Sequence, residues 1–518
     1  MGALRTSLKS MSNFGFDRLV KMRGPLIGLL VVALGILIGV SINSQEAAEL
    51  VVSITIVVAI MALMIVNPLN GILLWLFFMA FIDTWVEIPM GAGVPDLSFS
   101  RFIAAFLAVF TLAKAAIGKF RFVPLSLTDI LIFVVPLGLI ISAPLAVEPM
   151  LFIQSTVFEI FLMTGLIYFF AKNLVQSKED LHLMFMVIAL FGFVAALYAA
   201  FEHATGQIWF LPKDGIAGKT VAQLTAFRGE TNIRLIWGIM GGTGEMGRVL
   251  ALTIPVTFYL FFEQARSLRA KLVVSVMLVA QFYGIIIAMS RTPWIALLLA
   301  LFVMQFFYPQ FRKLFFTIVF IAVIGIGFTW DLVSDSQVAN RVNDNVSTLE
   351  GRQARWDAGF NMWQQQPIRG WGYGQFARNS GKFRTDGEKG NFGNGAIEND
   401  FLSILVASGL IGFGPYALFL LVPLINSFRL FFRARAPDWP GFIKPETIAV
   451  YWAVIICLAL TSYTAIIVHP LLKLIPFAIA GAVVGSHEHL LRRSRRQTAG
   501  SLVRPNSVTS APLSSRQV

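Results

Sequence analysis

The sequence is poor in cysteine, histidine and charge, and each shortage removes a class of function. Cys457 is the sole cysteine in 518 residues. No intrachain disulfide can form and no cysteine metal site can be built. The five histidines are scattered. His182, His487 and His489 fall in segments expected on the cytoplasmic side, and His203 and His469 stand apart from each other. No catalytic histidine is therefore expected on the outer side, and His487-x-His489 is too short a pattern to hold a metal. Charged residues make up 13% of the chain and hydrophobic residues 57%. Soluble domains hold about 25% charged and 45–50% apolar residues, so a single soluble core is excluded. No zinc, haem or nucleotide signature occurs, and no cofactor is expected. The run GGTGEMG at Gly241–Gly247 lacks both the Lys-Ser/Thr ending and the preceding strand of a phosphate loop. It reads instead as a helix N-terminus.

What the chain does have is apolar runs. A span needs about 20 mostly apolar residues. Candidates lie at 25–42, 50–66, 71–88, 102–117, 129–147, 152–171, 181–201, 246–262, 272–289, 293–307, 314–330, 402–425, 448–467 and 471–486. The expected fold is an all-α integral membrane protein of about 14 transmembrane helices. The first run, Pro25–Ile42, lacks a small-residue cleavage site and reads as a span rather than a signal peptide. Lysine and arginine gather in alternate loops, including Arg18, Lys21, Lys119, Arg121, Lys172, Arg269, Arg312 and Arg433. By the positive-inside rule both termini are cytoplasmic. The formal charge of +13 is accounted for by these loops and tails, which hold topology and touch anionic lipid headgroups. Nucleic acid is not an expected partner.

The expected organisation is a cytoplasmic tail at 1–24, a bundle over 25–330 with an outer loop at 202–245, a large outer loop at 331–401, further spans over 402–486, and a disordered basic tail at 487–518. Long polar loops between spans are uncommon without a function. In the large loop, Arg352, Arg355, Trp356, Phe360 and Trp363 recur at helical spacing, which predicts an amphipathic helix of about 14 residues closed by Pro367. Gly370-Trp371-Gly372-Tyr373-Gly374 predicts an aromatic-lined turn. Trp371 and Tyr373 either stack on sugar rings or anchor at headgroup depth. The outer arginines, among them Arg228, Arg248, Arg291, Arg352 and Arg355, either bind an anion bidentately or pair with nearby carboxylates such as Asp357. Glu398-Asn399-Asp400 stands at the mouth of an apolar span. A carboxylate there is a candidate general base, and Asn399 or Asp400 also suits a helix N-cap.

These residues resemble the O-antigen ligase/polymerase superfamily of bacterial envelope glycosyltransferases. Four features carry the resemblance: Ser290-Arg291 after a span; Gly351-Arg352 with Trp356; PIRGWGYGQF, similar to a Pro-x-x-Gly-x-Gly-x-Gly-x-Phe pattern; and Glu398-Asn399 followed by Gly409-Leu410-Ile411-Gly412. The resemblance implies a metal-independent GT-C type transferase in the bacterial inner membrane. Its substrates would be an undecaprenyl-diphosphate-linked glycan donor and a glycan acceptor on the periplasmic face. Arg291 and Arg352 would hold the diphosphate and Glu398 would take the acceptor proton. Arg228, Arg248, Arg355, Trp371, Tyr373, Gln375, Asn399 and Asp400 would contact substrate. Family ligases carry His where this chain has Glu398, whereas O-antigen and exopolysaccharide polymerases often show Glu-Asn. Polymerisation is therefore expected, with a chain-length-regulating copolymerase as a possible partner. Transfer to lipid A core is the alternative, and a non-enzymatic glycan transporter is the second. A transporter needs ionisable groups along several spans, and Glu159 is the main one found.

Overall fold

The computed structural model describes residues 60–82, 87–88, 97–205, 236, 238–240, 242–328, 346–383, 396–464 and 470–502. The expected span at 25–42, most of that at 50–66, and Arg228 lie outside them. From residue 69 onward each expected span coincides with a helix. We number these α1 (Leu69–Ile82), α2 (Phe99–Ala116), α3 (Leu127–Ser142), α4 (Pro149–Leu174), α5 (Lys178–Thr205), α6 (Thr243–Glu263), α7 (Leu268–Ile287), α8 (Arg291–Phe307) and α9 (Pro309–Phe328). There follow α10 (Val346–Gln365), α11 (Asp400–Ala434), α12 (Pro445–Tyr463) and α13 (Pro470–Leu502). Eight of them, α2 to α7, α11 and α12, are long and apolar enough to cross a bilayer; α1, α8 and the 470–486 part of α13 are shorter apolar helices. The chain is an all-α integral membrane protein. Among the described residues the only strand pairing is the two-residue ladder of Glu87–Ile88 with Leu97–Ser98.

Several boundaries differ from expectation, among them the end of α11, which runs to Ala434 rather than to about 425. Helix α1 is described over Leu69–Ile82, and Glu87, expected in the same span, joins the small ladder instead. Helix α10 has 20 residues rather than about 14; it starts at Val346 and ends two residues before Pro367, as proline's restriction on its predecessor favours. Helix α13 runs through Pro476 and on to Leu502, into the stretch expected to be disordered. Beyond Ser486 it is held to α4 by Glu488 and His489, both on Lys172, and its middle packs closely on the same helix. Gly481 and Gly485 form a Gly-x-x-x-Gly face against α4, where an added Cβ would lie 2.3 Å from the carbonyl oxygens of Tyr168 and Lys172. Backbones approach this closely only where side chains are absent.

The described ion pairs gather toward the two ends of the bundle. At one end Lys172 Nζ, 1% exposed, meets Asp129 at 2.5 Å and Glu488 at 2.8 Å. His489 Nε2 lies 3.1 Å from the Lys172 carbonyl, and Lys444 pairs with Glu263 at 2.9 Å. At the other end lie Arg101–Glu159, Arg248–Glu245, Arg352–Glu398 and Lys473–Asp400. Short links such as Val175–Ser177 and Ala288–Ser290 make successive helices antiparallel. The separation of the two ends is what alternating charged loops require.

Helix α11 is broken at Gly409 (φ 59°, ψ −159°). This backbone region is essentially open to glycine alone. The break is filled by the segment Pro367–Gly372. Trp371 N donates to Val406 O (2.8 Å) and Gly372 N to Ala407 O (2.9 Å). On the far side of the break Leu410 N donates to Pro367 O (2.9 Å) and Ile411 N to Ile368 O (3.2 Å). Carbonyls and amides that lose their helical partners thus regain partners from the loop, as an apolar surrounding demands. Gly370, Gly372 and Gly374 all have positive φ (72°, 96°, 79°), which fits the expected turn. The two glycine motifs are therefore halves of one backbone joint.

Candidate functional site

The joint fixes α10 above the start of α11. Arg352, Arg355 and Trp356 stand at i, i+3 and i+4, one face of a helix, and all three reach Glu398. Arg352 Nε bonds Glu398 Oε2. Arg355 Nη2 lies 3.3 Å from Oε1. Trp356 Nε1 donates to the Glu398 carbonyl at 3.2 Å. The side chains are 38% (Arg352), 21% (Arg355) and 24% (Glu398) exposed, so a ligand can reach both guanidiniums and the carboxylate. The Trp356 ring also packs on Tyr463 at 4.9 Å between centroids, which ties α10 to the end of α12.

The residues that follow Glu398 divide their work. Asn399 is the N-cap of α11, its side chain accepting from Leu402 N at 3.0 Å. Asp400, fully buried, lies 3.0 Å from Lys473 of α13. Capping thus falls to Asn399, and Asp400 is held by a cation that sequence reasoning did not single out.

Two expected arginines lie on adjoining helices at this end. Arg248 of α6 meets Glu245 at 2.5 Å and donates to the Thr464 carbonyl at 3.5 Å, next to Tyr463. Arg291 opens α8, and its neighbour Pro293 packs on Gly247, where an added Cβ would be 3.0 Å away. A chain of contacts therefore leads from the start of α8 through Gly247 and Arg248 to Thr464, Tyr463, Trp356 and Glu398. The expected helix N-terminus at Gly241–Gly247 is the start of α6, with Gly242 as its N-cap.

Trp371, Tyr373 and Gln375 have protein partners. Trp371 Nε1 donates to Met362 O at 2.6 Å and its ring meets Phe383 edge-on at 5.4 Å. The Tyr373 ring stacks on Phe152 at 5.0 Å, and its carbonyl accepts from Val147 N at 2.9 Å. Gln375 Nε2 donates to Leu145 O at 2.8 Å. Tyr373 and Gln375 bolt the glycine turn to the connection between α3 and α4, and Trp371 bolts it to α10 and Phe383.

An apolar groove of about 220 Å³ runs between α7, α8 and α9, lined by Phe282, Ile286, Trp294, Leu298, Leu301 and Phe315 among others. Arg291 shares one face of α8 with Trp294, Leu298 and Leu301, at i+3, i+7 and i+10.

Residues 276–417 match the family described as O-antigen ligase. The matched stretch runs from within α7 to within α11 and holds Arg291, Arg352, Arg355, Glu398 and Gly409. No curated protein matches the chain. The match makes residues 276–417 similar to O-antigen ligases, and the rest of the chain lies outside it.

Proposed function

We propose that the chain polymerises undecaprenyl-diphosphate-linked oligosaccharide repeat units on the periplasmic face of a bacterial inner membrane. The observation that carries this is the meeting of Arg352, Arg355 and Glu398 in one accessible cluster inside the matched segment. The acceptor hydroxyl oxygen attacks the anomeric carbon of the donor sugar. The bond from that carbon to the diphosphate oxygen breaks, and undecaprenyl diphosphate leaves with the electron pair. Glu398 takes the hydroxyl proton. Arg352, Arg355 and Arg291 stabilise the charge that develops on the diphosphate.

The ion pairs also suggest an order of events. Without donor, both guanidiniums are engaged by Glu398. A diphosphate carries more charge than one carboxylate and draws the arginines to itself, which frees Glu398 for the acceptor. The groove below Arg291 receives the start of the polyprenyl tail, since a cation stands above an apolar face there. Trp371, Tyr373 and Gln375 shape the site by holding α10 in place.

Glu398-Asn399, where family ligases carry His, supports polymerisation. The ligase description of the matched family supports the second reading, transfer to lipid A core. Deletion of the protein followed by gel analysis of envelope glycans separates them. Loss of long polymer with single repeats still attached means polymerisation. Loss of all attached glycan, with polymer left on its carrier, means ligation. Unchanged glycans sink both readings.

A further inference from the structure

We infer that Lys473 is a positioning residue, which holds Glu398 at its working height through Asp400. Lys473 lies three residues into α13, with its side chain 1% exposed. Its ammonium is 3.0 Å from Asp400 Oδ2. It also lies over the rings of Phe161 at 4.6 Å and Tyr416 at 5.2 Å. Asp400 is the first residue of α11, two residues after Glu398, and is 0% exposed. The pair meets by charge without hydrogen-bond alignment. Among the described residues neither Asp400 oxygen nor Lys473 Nζ has a hydrogen-bond partner.

A buried ion pair of this kind is a poor stabilising device. Removing two charges from water costs much of what their attraction returns, and apolar replacements are often as stable. What the pair supplies is a fixed point. The outer face of Glu398 is gripped by α10 through Arg352, Arg355 and Trp356. The start of α11 needs an opposing anchor, and Lys473 of α13 provides it. Glu245 of α6 is close enough for its carboxylate to repel that of Asp400, and Arg248 neutralises Glu245 on the other side. Charges of α6, α11 and α13 therefore meet at the first turn of α11, two residues after the proposed base, and Lys473 is the one that holds Asp400 there.

The kinetic readout rests on the transfer reading above, and a second readout does not. The variants are K473M and the double variant D400N/K473M, which leaves no unpaired charge in the site. In lipid nanodiscs with lipid-linked repeat units, both lower kcat by about 100-fold, the scale of an ångström of misplacement. Their KM for donor stays within about 3-fold of wild type, because the arginines are untouched. K473R recovers part of the rate. Hydrogen exchange at residues 397–402 accelerates at least 10-fold in K473M, while exchange in 474–483 is unchanged. A folded D400N/K473M protein with wild-type kcat overturns the inference, because it reduces the pair to packing. Unchanged exchange at 397–402 in K473M overturns it independently of any activity. Absence of turnover in the wild-type protein sinks the transfer reading, and the exchange measurement still decides the role of Lys473.

Discussion

Replacement of Gly409 by alanine tests the joint on which the site hangs. A Cβ on Gly409 would lie 2.3 Å from Ile368 O and 2.6 Å from Gly370 N. Both are backbone atoms, so neither can swing aside. Holding a non-glycine residue at φ 59°, ψ −159° costs about 1–3 kcal/mol. Moving the loop away strands at least one of the four bridging backbone groups, at about 1–3 kcal/mol for each buried group left unmade. The total is about 2–6 kcal/mol, against about 5–15 kcal/mol for typical folded-state stability. Gly414 is the control on the same helix, because a Cβ there meets nothing within 4 Å. G414A should melt close to wild type, since alanine's helix preference of about 0.5–1 kcal/mol is opposed by Pro415, which disfavours helical backbone at the residue before it. Thermal unfolding of both variants in detergent is the assay. If G409A melts with G414A, the break does not need glycine and the joint is misread.

The remaining predictions concern both ends of the bundle. R352A and R355A each lose a charge-assisted contact worth about 1.5–3 kcal/mol and should raise donor KM about 10- to 100-fold in a turnover assay; unchanged KM would remove them from the diphosphate site. K172M leaves Asp129 and Glu488 facing each other with no cation and should cost about 3 kcal/mol in stability, read as a lower Tm. Glu488 lies beyond the apolar run that ends at Ser486, and burial raises its pKa above the ordinary carboxylate value while Lys172 opposes the rise. Its folded form holds the proton more tightly than the unfolded chain, so stability should fall as pH climbs from the ordinary value through the raised one. E488Q should flatten that part of the profile, and a wild-type-like slope in E488Q would contradict the assignment.

Much of the architecture was legible because a bilayer writes a strong pattern. Long apolar runs and alternating basic loops located the apolar helices from α1 onward, although α11 and α13 run well past their expected ends. The cluster at Glu398 was legible through arginine density and the spacing of Arg352, Arg355 and Trp356. Other features carried no local signal. Lys473 is a single lysine in a short apolar stretch, and only the fold brings it under Asp400. The break at Gly409 sits inside FLSILVASGLIGFG, which reads as unbroken helix; its partner, Pro367–Gly372, lies about 40 residues earlier. Trp371 and Tyr373 looked free to stack on sugars because aromatic residues beside glycines give no hint of Phe383 or Phe152. The helical extension of α13 depends on Glu488 and His489 meeting α4, a contact invisible in a basic tail.

The central claim is that Glu398, gripped by Arg352 and Arg355, accepts the proton as a glycosidic bond forms. The most direct measurement is single-turnover extension of a purified lipid-linked repeat unit, comparing wild type with E398Q at matched folding and matched donor binding. The account predicts that wild type forms longer glycan and releases one undecaprenyl diphosphate per bond, while E398Q binds donor and is slower by about 100-fold or more. Equal rates in the two proteins would contradict it.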